Sequence, residues 1–275
     1  MGNLYSIGRI MEMAVLFFDI DGTLISNKTG LIPQSTIDAL MKAKENGHYI
    51  FVNTGRTICA LRKEVADIAF DGFLCGCGTY LIYRGEVIFQ SRLDVQRGRD
   101  IIKKMYELGL DGILEGIENN YLPKEKSRFE GLENERKYFD TFLPGVGRDK
   151  YIEDGDFTYE KLFVYVDEQS DGEAFFDYVS EDMEIVDRGQ GGYEIIQKGY
   201  SKWTACDFIM KKLGVDRSES YAFGDSTNDL AMFEYANHTI AMGIHAKELE
   251  PYTEFVTKDV DEDGIEYALK HFGLI

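Results

Sequence analysis

Phe17-Phe18-Asp19-Ile20-Asp21-Gly22-Thr23-Leu24 is the stretch of this 275-residue sequence that decides the fold. An apolar run over residues 14–18 predicts a buried parallel strand, and two acids follow it directly before Gly22 and Thr23 break the strand pattern. In open α/β folds, ligands bind at the carboxyl ends of the strands. The stretch therefore predicts an acidic site at the edge of a parallel sheet.

The two acids, Asp19 and Asp21, are only two positions apart. Carboxylates so close repel each other unless a cation lies between them or one of them holds a proton. A divalent metal with oxygen ligands satisfies that requirement. The alternative interpretation is an ordinary turn at the end of the strand, because Asp and Gly are common turn residues.

Three further motifs follow predicted strands or open a predicted helix. They are Thr54-Gly55-Arg56, Gly199-Tyr200-Ser201-Lys202 and Gly224-Asp225-Ser226-Thr227-Asn228-Asp229. Together with Asp19-x-Asp21-Gly22-Thr23, and in this order, they resemble the four motifs of the haloacid dehalogenase (HAD) superfamily. The spacing is most similar to the Cof-type sugar-phosphatase branch. The resemblance spans nearly the whole chain, although the middle third matches only in length and pattern.

Alternating strands and helices before residue 82 and after residue 199 predict an α/β fold with a parallel sheet. Thr54 and Lys202 are 148 positions apart, which leaves room for an inserted domain. The resemblance implies a doubly wound parallel-sheet core with an inserted α+β cap of the C2B type. We expect the core over 1–86 and 193–275, with the cap over 87–192.

The hydrophobic periodicity predicts the individual helices and strands. Helices are expected over 35–46, 57–69, 99–108, 173–179, 201–213, 229–236 and 260–272. Strands are expected over 14–18, 48–52, 73–75, 112–121, 162–166, 183–186, 221–223 and 239–242, with a hairpin over 80–89.

Composition excludes several classes of protein. A net charge of −19 argues against nucleic-acid binding and against an anionic membrane surface. No stretch approaches the roughly 20 apolar residues of a membrane helix, and residues 1–13 lack the apolar centre of a signal peptide. We therefore expect a cytoplasmic protein. The charge does not exclude a small phosphorylated metabolite as the partner, which is what the resemblance implies, and we expect a monomer or weak homo-oligomer.

The resemblance also implies roles for the acids. Asp19 would be the nucleophile that forms an aspartyl-phosphate, and Asp21 the general acid and base. The cofactor would be Mg²⁺, bound by the Asp19 carboxylate, the Asp21 backbone carbonyl and Asp225, with Asp229 supporting the site. For the stretch around Asp225, a helix-capping turn is also expected, and it is compatible with a metal site.

The same resemblance implies the phosphate contacts. The Thr54 hydroxyl and the amides of Gly55 and Arg56 would bind the phosphoryl group. The Arg56 side chain either reaches the substrate or is solvated. Lys202 would neutralise the transferring group, and Lys198 is a nearby competitor for that role.

Two further residues are candidate substrate contacts. Asn228 would donate to the phosphate or to Asp19, and Glu194 lies on a strand that returns toward the core. The chain departs from the family pattern at Trp203, where glycine is usual, and at Cys77, where asparagine is frequent. These departures put the detailed substrate in doubt.

The predicted activity is Mg²⁺-dependent hydrolysis of small phosphate monoesters such as sugar phosphates. One alternative is a phosphomutase or phosphotransferase that passes the phosphoryl group to a hydroxyl instead of water. The other is a non-catalytic phosphate-binding regulator on the same scaffold, which the intact set of acids disfavours.

Overall fold

The computed structural model of the protein describes residues 13–155 and 157–275. It divides into two compact units: Met1–Phe51 with Phe208–Ile275 form the first, and Val52–Asp207 form the second. The expected core and cap boundaries at 86/87 and 192/193 both fall inside the second unit, and the three-segment division stays a prediction. The signal-peptide argument concerns residues 1–13, nearly all of which lie outside the described ranges.

The described residues form thirteen strands and eight α-helices, numbered in chain order. The strands are β1 (Val15–Phe18), β2 (Tyr49–Asn53), β3 (Gly72–Cys75), β4 (Tyr80–Tyr83), β5 (Glu86–Gln90), β6 (Asp111–Glu115), β7 (Asn120–Tyr121), β8 (Lys161–Tyr165), β9 (Met183–Asp187), β10 (Gly192–Gln197), β11 (Ser220–Gly224), β12 (His238–Ala241) and β13 (Phe255–Val256). The helices are α1 (Gln34–Glu45), α2 (Lys63–Ala66), α3 (Val95–Glu107), α4 (Glu130–Phe142), α5 (Gly172–Val179), α6 (Lys202–Leu213), α7 (Leu230–Tyr235) and α8 (Gly264–His271).

The first unit contains the parallel sheet that the apolar runs predict. Its strand order is β13-β12-β11-β1, with parallel pairing throughout, and the Tyr49 amide joins the start of β2 to Ala14 with a 2.9 Å hydrogen bond. Phe18 pairs with Phe223 at the ends of β1 and β11. Because paired parallel strands end at the same edge of a sheet, the residues that follow Phe18 and Gly224 come together.

The second unit contains antiparallel pairing. The end of β2 lies beside β3, where the Thr54 amide donates to the Leu74 carbonyl at 2.8 Å, and β3, β4 and β5 pair antiparallel in that order. The predicted hairpin is confirmed, with Arg84 and Gly85 at positive φ (50° and 79°) in the tight turn. A separate five-stranded antiparallel sheet follows, in the order β7-β6-β8-β10-β9.

The two faces of this five-stranded sheet differ in character, because successive side chains of a strand point to opposite faces. One face carries apolar side chains that pack in a buried core with residues of α3 and α5. These are Leu114, Leu162, Val164 and Ile195 on the sheet and Ile101, Met105 and Phe175 on the helices. The other face carries the charged residues Glu115, Lys161 and Glu194 beside the apolar residues Ile113 and Tyr165 of a second cluster.

The predicted helix over 57–69 is wrong. A 3₁₀ turn (Ile58–Ala60) and the single turn α2 occupy this stretch, because Leu61 and Arg62 are extended, with ψ of 126° and 142°. Ala60 packs into a buried cluster with Leu122 and Phe139. Tertiary packing here overrides the helical spacing of the apolar residues.

The predicted single strand over 112–121 is also wrong. The chain turns back between β6 and β7, where the Gly116 amide donates to the Asn119 carbonyl at 3.0 Å, and the two strands pair antiparallel. The last predicted helix, 260–272, begins as a separate 3₁₀ turn (Val260–Glu262) before α8. Among the described residues, no helix has the length and apolar character needed to cross a membrane.

Glu160 gives a pH-dependent test of this fold. The residue is 2% exposed and its Oε2 atom has no hydrogen-bond partner. Desolvation raises the pKa of its carboxyl from 4.5 to about 7, against the opposing effect of Arg92. Because the folded pKa lies above the unfolded one, this acid destabilises the fold increasingly as pH rises from 4.5 to 7.

We therefore expect Glu160→Gln to increase the free energy of unfolding more at pH 8 than at pH 4.5. The difference between the two increases should be about 3 kcal/mol. Urea denaturation at the two pH values measures this difference. Glu118→Gln, at an exposed glutamate, controls for the loss of a surface charge. Equal effects of Glu160→Gln at both pH values would contradict the prediction.

Candidate active site

Strand pairing positions Asp19 in the first unit. The residue follows β1 directly, and its amide donates to the Phe223 carbonyl at 3.0 Å, which extends the β1–β11 ladder by one residue. Asp19 is 4% exposed. Its position at the carboxyl edge of the sheet is the one predicted from the apolar run before it.

The residues after Asp19 form a tight turn. The amides of Leu24 and Ile25 donate to the Ile20 carbonyl at 2.9 and 2.8 Å. Within this turn Gly22 has φ of +82°, and a Cβ atom there would lie 2.3 Å from Oδ2 of Asp225. The position therefore requires glycine for two reasons, the backbone conformation and the close approach of a carboxylate.

A second turn, after β11, positions Asp225. One oxygen of Asp229, Oδ2, accepts the amides of Asp225 (2.9 Å) and Ser226 (3.0 Å). On its other side, Asp225 Oδ1 accepts the Thr23 hydroxyl at 3.4 Å. A Cβ on Gly224 would lie 2.5 Å from the carboxyl carbon of Asp229, so this turn also needs a glycine.

Three carboxylates meet at this edge of the sheet. One oxygen each from Asp19, Asp225 and Asp229 lie within 4.8 Å of one another. Asp19 and Asp229 are buried and Asp225 is half-buried, so their mutual repulsion is only weakly screened by water. An all-oxygen donor set of this kind fits Mg²⁺. The Asp21 carboxylate is not part of the group, and the expected contribution of its backbone carbonyl stays a prediction.

Asn228 belongs to the same turn. It lies in the short helical segment Thr227–Asp229, and its Oδ1 atom accepts the Ser226 hydroxyl at 2.8 Å. The first unit thus brings together Asp19, Asp225, Asn228 and Asp229 on the turns that follow two paired strands.

The second unit holds the Thr54-Gly55-Arg56 loop. Thr54 is 2% exposed, and its Oγ1 atom accepts the Arg56 amide at 3.1 Å. The Arg56 guanidinium donates to the Tyr138 hydroxyl at 2.8 Å and to the Ala60 carbonyl at 3.3 Å. The Arg56 backbone amide, which was expected to bind the phosphate, instead donates to the Thr54 hydroxyl. The Arg56 side chain contacts α4.

Lys202 is the first residue of α6 and is 2% exposed. Its backbone carbonyl accepts the Asn53 side-chain amide at 2.9 Å, and Ser201 caps the helix by accepting the Thr204 amide at 3.2 Å. The competing lysine, Lys198, is exposed and donates to the Ser180 carbonyl. Of the two candidate lysines, Lys202 is thus buried and Lys198 is exposed.

Glu194 lies in a buried charge cluster that sequence reasoning missed. Its carboxylate contacts both Lys161 and Arg188, and the Lys161 ammonium is 2.6 Å from Oε2 of Glu115. Desolvation raises the pKa of Glu194, but the two cations outweigh it and hold that pKa at about 2. The only signal in the sequence was a lysine at the start of an alternating apolar strand.

Comparison with known proteins assigns the family. A model of the haloacid dehalogenase-like hydrolases matches residues 16–269. The chain belongs to the haloacid dehalogenase-like hydrolase family. A Bacillus subtilis relative named "Putative phosphatase YkrA" is 29% identical, over 96% of this chain and 100% of the relative.

Two solved structures are similar over their whole lengths. The phosphatase BT1666 of Bacteroides thetaiotaomicron is 28% identical with a TM-score of 0.81, covering 100% of both chains. The subclass IIB sugar phosphatase BT4131 is 28% identical with a TM-score of 0.80, covering 96% of this chain and 100% of that one. The predicted superfamily, the α/β fold class and, at the level of the family, the phosphatase class of enzyme are confirmed.

The close approach at Gly22 yields a prediction. Gly22→Ala places a methyl group against Asp225, so we expect it to displace that carboxylate and lower phosphate release from p-nitrophenyl phosphate by about 100-fold. Gly47→Ala is the matched control, because Gly47 also has positive φ (+96°) but a Cβ there meets nothing within 4 Å.

Both substitutions carry a similar backbone strain of about 1–2 kcal/mol. The close contact with Asp225 adds a cost at Gly22 that is absent at Gly47, so thermal unfolding should report at least as much destabilisation for Gly22→Ala as for Gly47→Ala. Measured on folded protein, activity should be lost only in Gly22→Ala. Equal activity in both would show that the contact with Asp225 does not matter.

Proposed function

We propose that this protein is a Mg²⁺-dependent phosphatase that hydrolyses small phosphate monoesters, sugar phosphates or related metabolites, through an aspartyl-phosphate on Asp19. The observation that carries the proposal is the group of three carboxylates, Asp19, Asp225 and Asp229, within 4.8 Å at the carboxyl edge of a parallel sheet. Such a group is unfavourable without a cation, and a cation beside a carboxylate nucleophile is suited to phosphoryl transfer.

In the first step, an oxygen of Asp19 attacks phosphorus and the bond from phosphorus to the leaving oxygen breaks. Asp21 donates a proton to that oxygen, which leaves as an alcohol. In the second step, Asp21 takes a proton from water, the water oxygen attacks phosphorus, and the bond to Asp19 breaks. Inorganic phosphate is released and both aspartates return to their starting states.

Asp19, Asp225 and the backbone carbonyl of Asp21 would hold the Mg²⁺ ion, with Asp229 supporting Asp225 through its two amide contacts. The ion would supply positive charge that offsets the repulsion between Asp19 and a phosphate dianion. The residues of this chain then orient the carboxylates around it: Thr23 bonds Asp225, and Gly22 leaves the space that Asp225 occupies.

The remaining roles concern the phosphate and the rest of the substrate. We propose that the Thr54 hydroxyl, the Lys202 ammonium and the Asn228 amide bind the phosphoryl oxygens. The backbone of Gly55 and Arg56 would lie next to the phosphoryl group. We also propose that Glu194 contacts the substrate, although Lys161 and Arg188 already neutralise its carboxylate.

The proposed substrate class is based on similarity to solved structures. The similar structure BT4131 is described as a sugar phosphatase, which supports small sugar phosphates over macromolecular substrates. The net charge of −19 also disfavours nucleic acids as partners. We place the protein in the cytoplasm as a monomer or weak homo-oligomer.

The test is a phosphate-release screen of sugar phosphates and p-nitrophenyl phosphate with Mg²⁺ or with EDTA. We expect wild-type turnover only with the metal, and a loss of about 1,000-fold or more in Asp19→Asn, because the amide cannot act as the nucleophile. Asp38→Asn, at an exposed acid of α1, is the matched control. Wild-type-like activity of Asp19→Asn would refute the covalent mechanism.

Products distinguish hydrolysis from transfer. When a sugar acceptor is added to the same reactions, a phosphatase releases inorganic phosphate in proportion to the alcohol. A phosphotransferase or phosphomutase would instead yield a new phosphate ester and less free phosphate.

A further inference from the structure

We propose that Lys161 is a positioning residue for Thr54, acting through the peptide bond between Gly55 and Arg56. The inference rests on the proposed function, because it takes the Thr54 hydroxyl to bind the transferred phosphoryl group. All of the residues concerned lie in the second unit.

Three acceptors surround the Lys161 ammonium. It donates to the Gly55 carbonyl at 3.0 Å and to Glu194, and it pairs with Glu115 at 2.6 Å. Of the three N–H donors of an ammonium, two make hydrogen bonds here, to Gly55 and Glu194, and the contact with Glu115 is an ion pair. Two of the acceptors belong to the neighbouring strands β6 and β10, and the third belongs to the Thr54 loop.

The ammonium is held charged where it lies. The Lys161 side chain is 5% exposed. Burial lowers the pKa of this lysine, but Glu115 and Glu194 outweigh that effect and raise it well above its usual range. A charged donor makes a stronger hydrogen bond than a neutral one, so the contact with Gly55 restrains the orientation of that peptide group.

The orientation of the peptide sets the environment of Thr54. In a trans peptide the C=O and N–H groups point in opposite directions, and no peptide bond among the described residues is cis. With the Gly55 carbonyl directed at Lys161, the Arg56 amide points the other way and donates to Thr54 Oγ1 at 3.1 Å. A hydroxyl oxygen that accepts an N–H keeps its own proton for donation to another acceptor.

The loop is also restrained by packing at Gly55. A Cβ there would lie 3.4 Å from the Cys77 sulfur and 3.5 Å from Oε1 of Glu194. Lys161 therefore has a role beyond balancing the charges of a sheet. Its hydrogen bond to the Gly55 carbonyl connects the charge cluster to the peptide group that donates to the Thr54 hydroxyl.

The experiment is a double-mutant cycle between positions 161 and 54, measured as kcat and KM for p-nitrophenyl phosphate with Mg²⁺. Lys161→Met alone would leave two carboxylates, Glu115 and Glu194, with one arginine. The variant Lys161→Met/Glu115→Gln removes one charge of each sign, and Glu115→Gln alone is its matched reference. Near-ultraviolet circular dichroism and thermal unfolding establish that each variant is folded.

We expect the double variant to lower kcat/KM by about 10- to 100-fold relative to Glu115→Gln, the range for losing a well-oriented hydrogen bond to a charged group. In a Thr54→Val background, the same change at position 161 should cost less than about twofold, because the hydroxyl it positions is already absent. Inhibition by orthovanadate, which mimics the transferred group, should weaken in parallel. Lys161→Arg, which keeps the charge, should restore part of the lost activity.

Two results would overturn the inference: a loss of less than twofold on removing Lys161, or the same loss with threonine and with valine at position 54. A purely structural lysine gives the second result. The proposed function is tested separately by Asp19→Asn. An inactive Asp19→Asn with no coupling between positions 161 and 54 refutes the inference alone, and an active Asp19→Asn refutes the proposed function.

Discussion

Repulsion among the three carboxylates Asp19, Asp225 and Asp229 is the constraint on which the first unit depends. Their oxygens lie within 4.8 Å, although two of the three side chains are buried. The pairing of β1 with β11, the missing side chain at Gly22 and the two amides bound by Asp229 hold them there. Proteins rarely keep buried charges of one sign together without a compensating ion. In the proposed function, the stability lost to this repulsion is recovered when a cation binds at the edge, with the phosphate beside it.

The second unit also brings carboxylates close together, but it neutralises them with its own cationic side chains. Its charge cluster contains two carboxylates, Glu115 and Glu194, and two cations, Lys161 and Arg188, so it is neutral without an ion. Glu115, Lys161 and Glu194 come from neighbouring antiparallel strands, which fixes their register, and Arg188 directly follows β9. A neutral cluster of this kind can stay ordered whether or not a ligand is bound. The difference explains why we assign metal binding to the first cluster and positioning to the second.

The sequence allowed the fold to be predicted wherever one local signal was sufficient. Apolar runs ending in Asp19 and Asp225 gave the parallel strands and the acidic edge, and the Arg84-Gly85 turn gave the hairpin. The helix expected over 57–69 failed because Ala60 packs against residues more than 60 positions away. The contacts of Lys161 and the close approach of Gly22 to Asp225 were not predicted either, because both depend on partners remote in the chain. One sequence shows which residues are charged or small, but not which strands become neighbours.

The central claim is that Asp19 accepts the phosphoryl group beside a bound metal ion. A crystal structure with Mg²⁺ and beryllium fluoride, which mimics an acyl phosphate, tests it most directly. The account predicts beryllium bonded to an oxygen of Asp19 and Mg²⁺ coordinated by Asp19 and Asp225. A structure in which the Asp19 carboxylate carries no beryllium, with the ions bound elsewhere, would contradict it.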